Sequence, residues 1–176
     1  MRWKNLVMLT AGLALAVSFL APTAAQADTN HGCNFLQNIG PEYYGWDNGA
    51  GSFYFKSPAT FDYSETFCNL GIPINGQFEV LSNSTDGCLA IDTTNGLTTV
   101  DTPAACALNG GRGYPWDRWT AISIRYHNNQ LWMLRSAEYP GYCIHADTAN
   151  GSTATADWVP CNSNDHYQWF NWDVGL

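Results

Sequence analysis

The chain has 176 residues, with 15 acidic side chains against 7 lysines and arginines and a formal net charge of −8 at pH 7. That balance disfavours nucleic acid and anionic membrane surfaces as partners, and the length suits one domain with a single modest core rather than two. An even count of six cysteines favours a disulfide framework, provided the chain is exported, over metal ligation or redox chemistry.

The N-terminus answers that condition. Met1-Arg2-Trp3-Lys4 precedes an uncharged apolar run from Leu6 to Leu20, and small residues follow to Ala25-Gln26-Ala27. Basic end, apolar middle and small-residue cleavage site are the order of a secretory signal peptide, so residues 1–27 are predicted to be removed and the domain to span residues 28–176. The apolar run is short for a membrane span and nothing later approaches one, so no membrane insertion is expected and the protein should be extracellular or periplasmic.

From Asp28 onward no apolar spacing of helical period runs long enough for a helix, whereas alternating and β-branched runs recur throughout. Strands are predicted over Ser52–Lys56, Gln77–Ser82, Cys88–Ile91, Leu97–Asp101, Arg118–Tyr126, Gln130–Arg135, Tyr142–Ala146, Thr153–Val159 and Tyr167–Trp172, separated by Asn-Gly, Pro-Gly, Gly-Gly and Asn-Asn turn signals. The fold class is all-β. Trp169 and Trp172 alternate imperfectly with Phe170, so one face of the last strand is expected to be partly exposed.

One stretch occurs twice. Gly87-Cys88-Leu89-Ala90-Ile91-Asp92 leads through Asn95-Gly96 to Cys106, and Tyr142-Cys143-Ile144-His145-Ala146-Asp147 leads through Asn150-Gly151 to Cys161. The two copies are offset by 55 residues, and in each the second cysteine follows the first by 18 positions. Internal repetition implies a unit that closes a core with its copies. It also argues for Cys88 with Cys106 and Cys143 with Cys161, leaving Cys33 with Cys68, each bridge contributing roughly 3 kcal/mol by chain-entropy reasoning. Each Asn-Gly is expected to close a type I′ hairpin, with positive φ at both central residues. An aromatic segment follows each second cysteine, Trp116-Asp117-Arg118-Trp119 in one copy and Tyr167-Gln168-Trp169-Phe170 in the other. Residues 28–76 match less well: Cys33 and Cys68 lie 35 apart, and Tyr43-Tyr44-Gly45-Trp46-Asp47-Asn48 has no counterpart. This part is either an atypical first repeat or an N-terminal arm, and the aromatic stretch either a binding surface or packed.

These residues resemble the repeat of the ricin B-chain-like β-trefoil lectins: a Cys-Leu-Asp strand, an Asn-Gly turn, a second Cys and a Gln-x-Trp triplet, three copies making one trefoil. Gln168-Trp169-Phe170 is similar to the triplet, and Asp117-Arg118-Trp119 keeps only its aromatic. The resemblance covers residues 77–176. It implies a pseudo-threefold β-trefoil with three disulfides and shallow sugar pockets, each built from a carboxylate and a stacking ring. The family's aspartate position holds Ala90 and His145 here, and Asp92 and Asp147 stand two residues further along the same strand face. Asp157-Trp158 lies close to the family's stacking aromatic, displaced by one position.

The carbohydrate-binding candidates are therefore His145, Asp147, Asp157, Trp158 and Asp92, with the last repeat the better pocket; Tyr114 and Trp116 in the middle copy are the other aromatics near a pocket position. Each has a plainer role as well. Asp92 and Asp147 suit turns that bond a nearby backbone N–H, His145 suits a structural hydrogen bond with Asp147 as neighbour, and Trp158 suits the core. Gln168, Phe170, Trp119 and Trp132 are assigned to the core. No nucleophile elbow, zinc-protease motif, phosphate loop or calcium loop occurs. The reading is a non-enzymatic secreted protein that binds carbohydrate weakly, with no cofactor implied. The alternative is a protein-binding trefoil scaffold, such as an inhibitor or toxin subunit. Asn83-Ser84-Thr85 and Asn150-Gly151-Ser152 match glycosylation acceptors.

Overall fold

The computed structural model describes residues 32–61, 65–71, 76–102, 106, 114–147 and 151–172. The predicted signal peptide lies outside the described residues. Thirteen strands, among the described residues, join in one hydrogen-bonded network. They are β1 (Cys33–Asn34), β2 (Gln37–Asn38), β3 (Tyr44–Asp47), β4 (Phe53–Lys56), β5 (Phe67–Gly71), β6 (Phe78–Ser82), β7 (Cys88–Asp92), β8 (Leu97–Asp101), β9 (Trp119–Tyr126), β10 (Asn129–Ser136), β11 (Tyr142–Ala146), β12 (Thr153–Pro160) and β13 (Phe170–Asn171). The all-β expectation holds, and most predicted strands differ from these by a residue or two at an end.

Three antiparallel pairs, β5–β6, β9–β10 and β13–β2, form one set, and the last of them brings the C-terminal end of the chain back to its beginning. Three hairpins, β3–β4, β7–β8 and β11–β12, form the second set. The hairpins pair with one another, Thr153 against Lys56, Asp157 against Leu97 and Ser52 against Thr99. Each hairpin thus supports the other two.

Alternation explains β3 and β4. Gly45 and Asp47 in one strand and Phe53 and Phe55 in the other point inward, whereas Tyr44, Trp46, Tyr54 and Lys56 are only partly covered. A Cβ on Gly45 would come within 3.0 Å of the Phe53 ring and 3.2 Å of Phe67, so the strand needs a glycine there. The Lys56 ammonium lies 3.3 Å from the Trp46 ring centroid, a cation–π contact that holds the outer face. Most of the aromatic stretch Tyr43–Asn48 is consequently a paired strand, β3.

Buried rings dominate the centre. Phe55, Phe67, Trp119, Phe170 and Trp172 lie in the main apolar cluster with Leu89, Leu134 and Ile144. Two indole N–H groups are satisfied by strand carbonyls, Trp119 Nε1 by Leu89 at 3.0 Å and Trp172 Nε1 by Phe67 at 3.2 Å. Gln168 is buried as predicted, while Trp132 packs against the cluster from a half-buried position. All three predicted disulfides form: Cys33–Cys68, Cys88–Cys106 and Cys143–Cys161.

Two local expectations are corrected. Asn95-Gly96 does not form a two-residue type I′ turn, because Asp92 pairs with Leu97 across a four-residue connection and only Gly96 takes positive φ. The two-residue turn with positive φ at both positions is His127-Asn128, where Tyr126 pairs with Asn129. Asn150 lies outside the described residues. The segment predicted as strand from Tyr167 is instead a 3₁₀ turn, His166–Gln168, before the short β13, and Pro115–Asp117 forms the same turn before β9. The partly exposed face expected of the last strand is its Asn171 side, while Trp169, Phe170 and Trp172 are all buried. A strand this short serves two clusters at once: Trp169 joins Leu131, Met133 and Cys143 rather than the central rings.

Candidate functional site

The middle hairpin carries a concavity of about 540 Å³, lined by Asp92 and Thr93 at its turn, Thr99 and Asp101 on β8, Trp116 from the 3₁₀ turn, and Glu138 and Tyr139 from the β10–β11 connection. Asp92 does the turn work expected of it, its Oδ1 accepting the Thr94 N–H at 2.8 Å while its backbone carbonyl accepts the Gly96 N–H. Its carboxylate still borders the concavity. Trp116 and Tyr114 stack with centroids 4.4 Å apart and planes within 7°. They are 37% and 39% exposed, among the few large apolar side chains so placed. The Trp116 indole donates to Asp101 Oδ2 at 3.2 Å, which fixes the ring against the wall. A second hollow of about 340 Å³, reaching Asp47, Thr85 and Thr102, lies on the other side of Asp101.

Behind Asp101 sits Asp117, fully buried at the last position of its 3₁₀ turn. Gln168 holds the same place before β13, where Oε1 accepts the Asn162 N–H at 2.9 Å and Nε2 donates to the Pro160 carbonyl at 3.1 Å. An aspartate in that position has no amide donor to offer. Asp117 Oδ2 accepts the Tyr114 N–H at 3.3 Å, whereas Oδ1 finds no donor. Burial, then the neighbouring Asp101 carboxylate by charge and by hydrogen bond, then Glu79, push the Asp117 carboxyl up to about 8. A proton retained at neutral pH supplies the donor that the glutamine amide supplies in the other copy.

The last hairpin arranges its carboxylates differently. His145 and Asp157 are direct cross-strand partners, and Nδ1 lies 2.8 Å from Oδ1. Nε2 lies 3.7 Å from Asp165 Oδ2. The hydrogen bond to Asp157 is the main cause of a raised His145 pKa; burial opposes it, and the charges of Asp157, Asp165 and Asp147 add to it. The partner of His145 is therefore Asp157 and not Asp147, because facing residues on paired strands are closer than alternate residues on one. Asp147 is exposed, with the Thr155 hydroxyl at 3.5 Å.

Trp158 is one residue from Asp157 and faces the opposite side, across from Ile144. Its ring packs on Tyr139 at 5.2 Å and Tyr142 at 4.8 Å, and its Nε1 is buried without a partner. Of the five sequence candidates, His145, Asp147 and Asp157 thus gather on one side of the last hairpin. Asp92 belongs to the middle concavity, and Trp158 backs the Tyr139 wall of that concavity. Asp101, Glu138, Tyr139 and Asp165 were not among the candidates. Asp101 and Glu138 had no motif to mark them, since loop connections and strand register bring them to Trp116. Trp116 itself was legible as an aromatic near a pocket position.

No protein-family model matches the chain, and no curated protein matches it in sequence. Solved structures do match in shape. A structure titled BEL beta-trefoil is similar over 82% of this chain and 94% of that one, with a TM-score of 0.62 and 10% identity. The Polyporus squamosus lectin, bound to a human-type influenza-binding epitope, is similar over 82% of this chain and 49% of that one, with a TM-score of 0.57 and 12% identity. A Clostridium perfringens endo-β-galactosidase that releases GlcNAcα1-4Gal is similar over 80% of this chain and 31% of that one, with a TM-score of 0.60 and 8% identity. This chain spans about half of the lectin and a third of the enzyme. The fold is a β-trefoil, an architecture similar to that of a lectin and of part of an enzyme.

Proposed function

We propose that this protein is exported, that its segment 28–76 supplies an atypical first trefoil repeat, and that it binds carbohydrate without catalysis. The observation that carries the binding reading is Trp116: an exposed indole, stacked on Tyr114 and held by Asp101, forms one wall of a concavity with Asp92 and Tyr139. An aromatic face covers the C–H side of a pyranose while carboxylates accept its hydroxyl protons, and both requirements meet here. In the last repeat, His145 and the hydroxyl-accepting Asp157 are engaged with each other, and Trp158 is turned away. The middle hairpin is therefore the principal site, with Trp158 acting through Tyr139 and the last hairpin a secondary one. Three disulfides suit the oxidising compartment that the N-terminal leader implies.

A glycan-array screen of the secreted protein beside Trp116→Ala, Trp158→Ala and Asp147→Ala variants tests the assignment. Binding lost in Trp116→Ala and weakened in Trp158→Ala supports the middle site. Binding that survives Trp116→Ala and disappears in Asp147→Ala moves it to the last hairpin, and a folded protein that binds no glycan turns the reading to a protein-binding scaffold.

A further inference from the structure

The concavity beside Trp116 has more negative charge than recognition of a neutral sugar requires. Asp92, Asp101 and Glu138 all line it, and among the described residues no Lys, Arg or His does. None of the three makes an ion pair with another described residue. Asp92 accepts one backbone N–H, and Asp101 accepts the Trp116 indole N–H and is hydrogen-bonded to Asp117, so both carboxylates still keep acceptor capacity for an incoming donor. Glu138 is exposed. Three like charges around one hollow repel each other, and a bound cation relieves that repulsion.

Two independent features point to a ligand and to its sign. The first is the stacked and exposed Tyr114–Trp116 pair, whose π faces attract both sugar C–H groups and cations. The second is the indole bond from Trp116 to Asp101, which holds the ring beside a carboxylate lining the same hollow.

We propose that the glycan bound at Trp116 carries a free protonated amine, an amino sugar of the unsubstituted glucosamine type, with the ammonium placed among Asp92, Asp101 and Glu138. The inference rests on the carbohydrate reading above and adds its chemical class. It also implies that uronic, sialic and sulfated glycans are excluded, since each would bring a negative charge to three carboxylates.

The test compares glucosamine trimer with its fully N-acetylated counterpart by titration calorimetry, using the secreted protein, its Glu138→Gln and Asp92→Asn variants and Trp116→Ala. The amine trimer is expected to bind at least about tenfold tighter than the acetylated one. Each charge-removing variant should lower amine-trimer affinity by roughly three- to tenfold while changing acetylated-trimer affinity less than about twofold. Trp116→Ala should abolish binding of both. Equal affinity for the two trimers overturns the amine inference and leaves the carbohydrate reading standing. Binding of neither trimer, together with an empty glycan array, overturns both. Amine-trimer binding that survives Trp116→Ala is diffuse attraction to an acidic protein and overturns the inference, as does lysine trimer binding as tightly as glucosamine trimer.

Discussion

The middle and last hairpins begin from the same repeat and end as different surfaces. In the middle one, Ala90 lies opposite Thr99, no histidine among the described residues lines the hollow with the carboxylates, and Asp92 and Asp101 line it with an exposed tryptophan. In the last one, His145 lies opposite Asp157 and holds it, while Asp165 stands on the other ring nitrogen. The aromatic parts company in the same way. Trp116 arrives from a 3₁₀ turn and meets a carboxylate, whereas Trp158 follows Asp157 along a strand and must face away from it. A cysteine-bounded repeat therefore fixes the scaffold, and a single cross-strand pair decides whether the carboxylates on it are available.

The largest effect should come from the rings on which both hairpins rest. Trp119 and Phe170 are both fully buried and begin strands after matching 3₁₀ turns. Trp119→Ala or Phe170→Ala should each cost about 3–5 kcal/mol in urea unfolding. A much larger loss for one would show that the two units do not share the core equally. Next in size, Trp116→Ala should lower glycan affinity at least about tenfold with Tm unmoved, and Trp158→Ala only about two- to threefold, both read by titration calorimetry. The reverse order would make the last hairpin the principal site.

Buried charge separates the copies by pH. Asp117 has a folded pKa raised from 3.8 to about 8, so the native state holds a proton that the unfolded chain has released, and stability falls as pH rises through that window. Asp117→Asn should flatten this dependence and raise Tm at pH 8 by several degrees, about the shift of 1 kcal/mol or more. The smallest effect belongs to His145. Its folded pKa is raised above 6.5, so its contribution is complete below that value and lost as pH rises through the folded pKa. Asp157→Asn should remove this contribution, shifting Tm at pH 5.5 by a few degrees at most and leaving Tm at pH 9 nearly unchanged, as followed by circular dichroism.

Much of the architecture was written in the order of residues. Cysteine spacing, the doubled motif and turn dipeptides are local signals, and they led to an all-β trefoil and to its three disulfides because each reflects short-range geometry or a closed loop. Phe170 and Trp119 could be assigned inside for the same reason: an aromatic recurs at one place in a repeat whose apolar face must be covered. The first third was harder to read, since β3 and β5 carry no motif of the other copies and are recognised by their partners alone.

The site depended on tertiary structure. Register across β11–β12 decided that His145 meets Asp157, a choice that a one-residue slip would reverse. Glu138 and Tyr139 come to Asp92 through a connection between two other strands, and no spacing in the chain encodes that approach. Burial made Asp117 a proton holder although its residue type alone marks it as a charged surface group. Sequence by itself determined the repeated scaffold, because its causes are local. Only the folded contacts decided which acids face an open ring, because that is set by pairs of residues far apart in the chain.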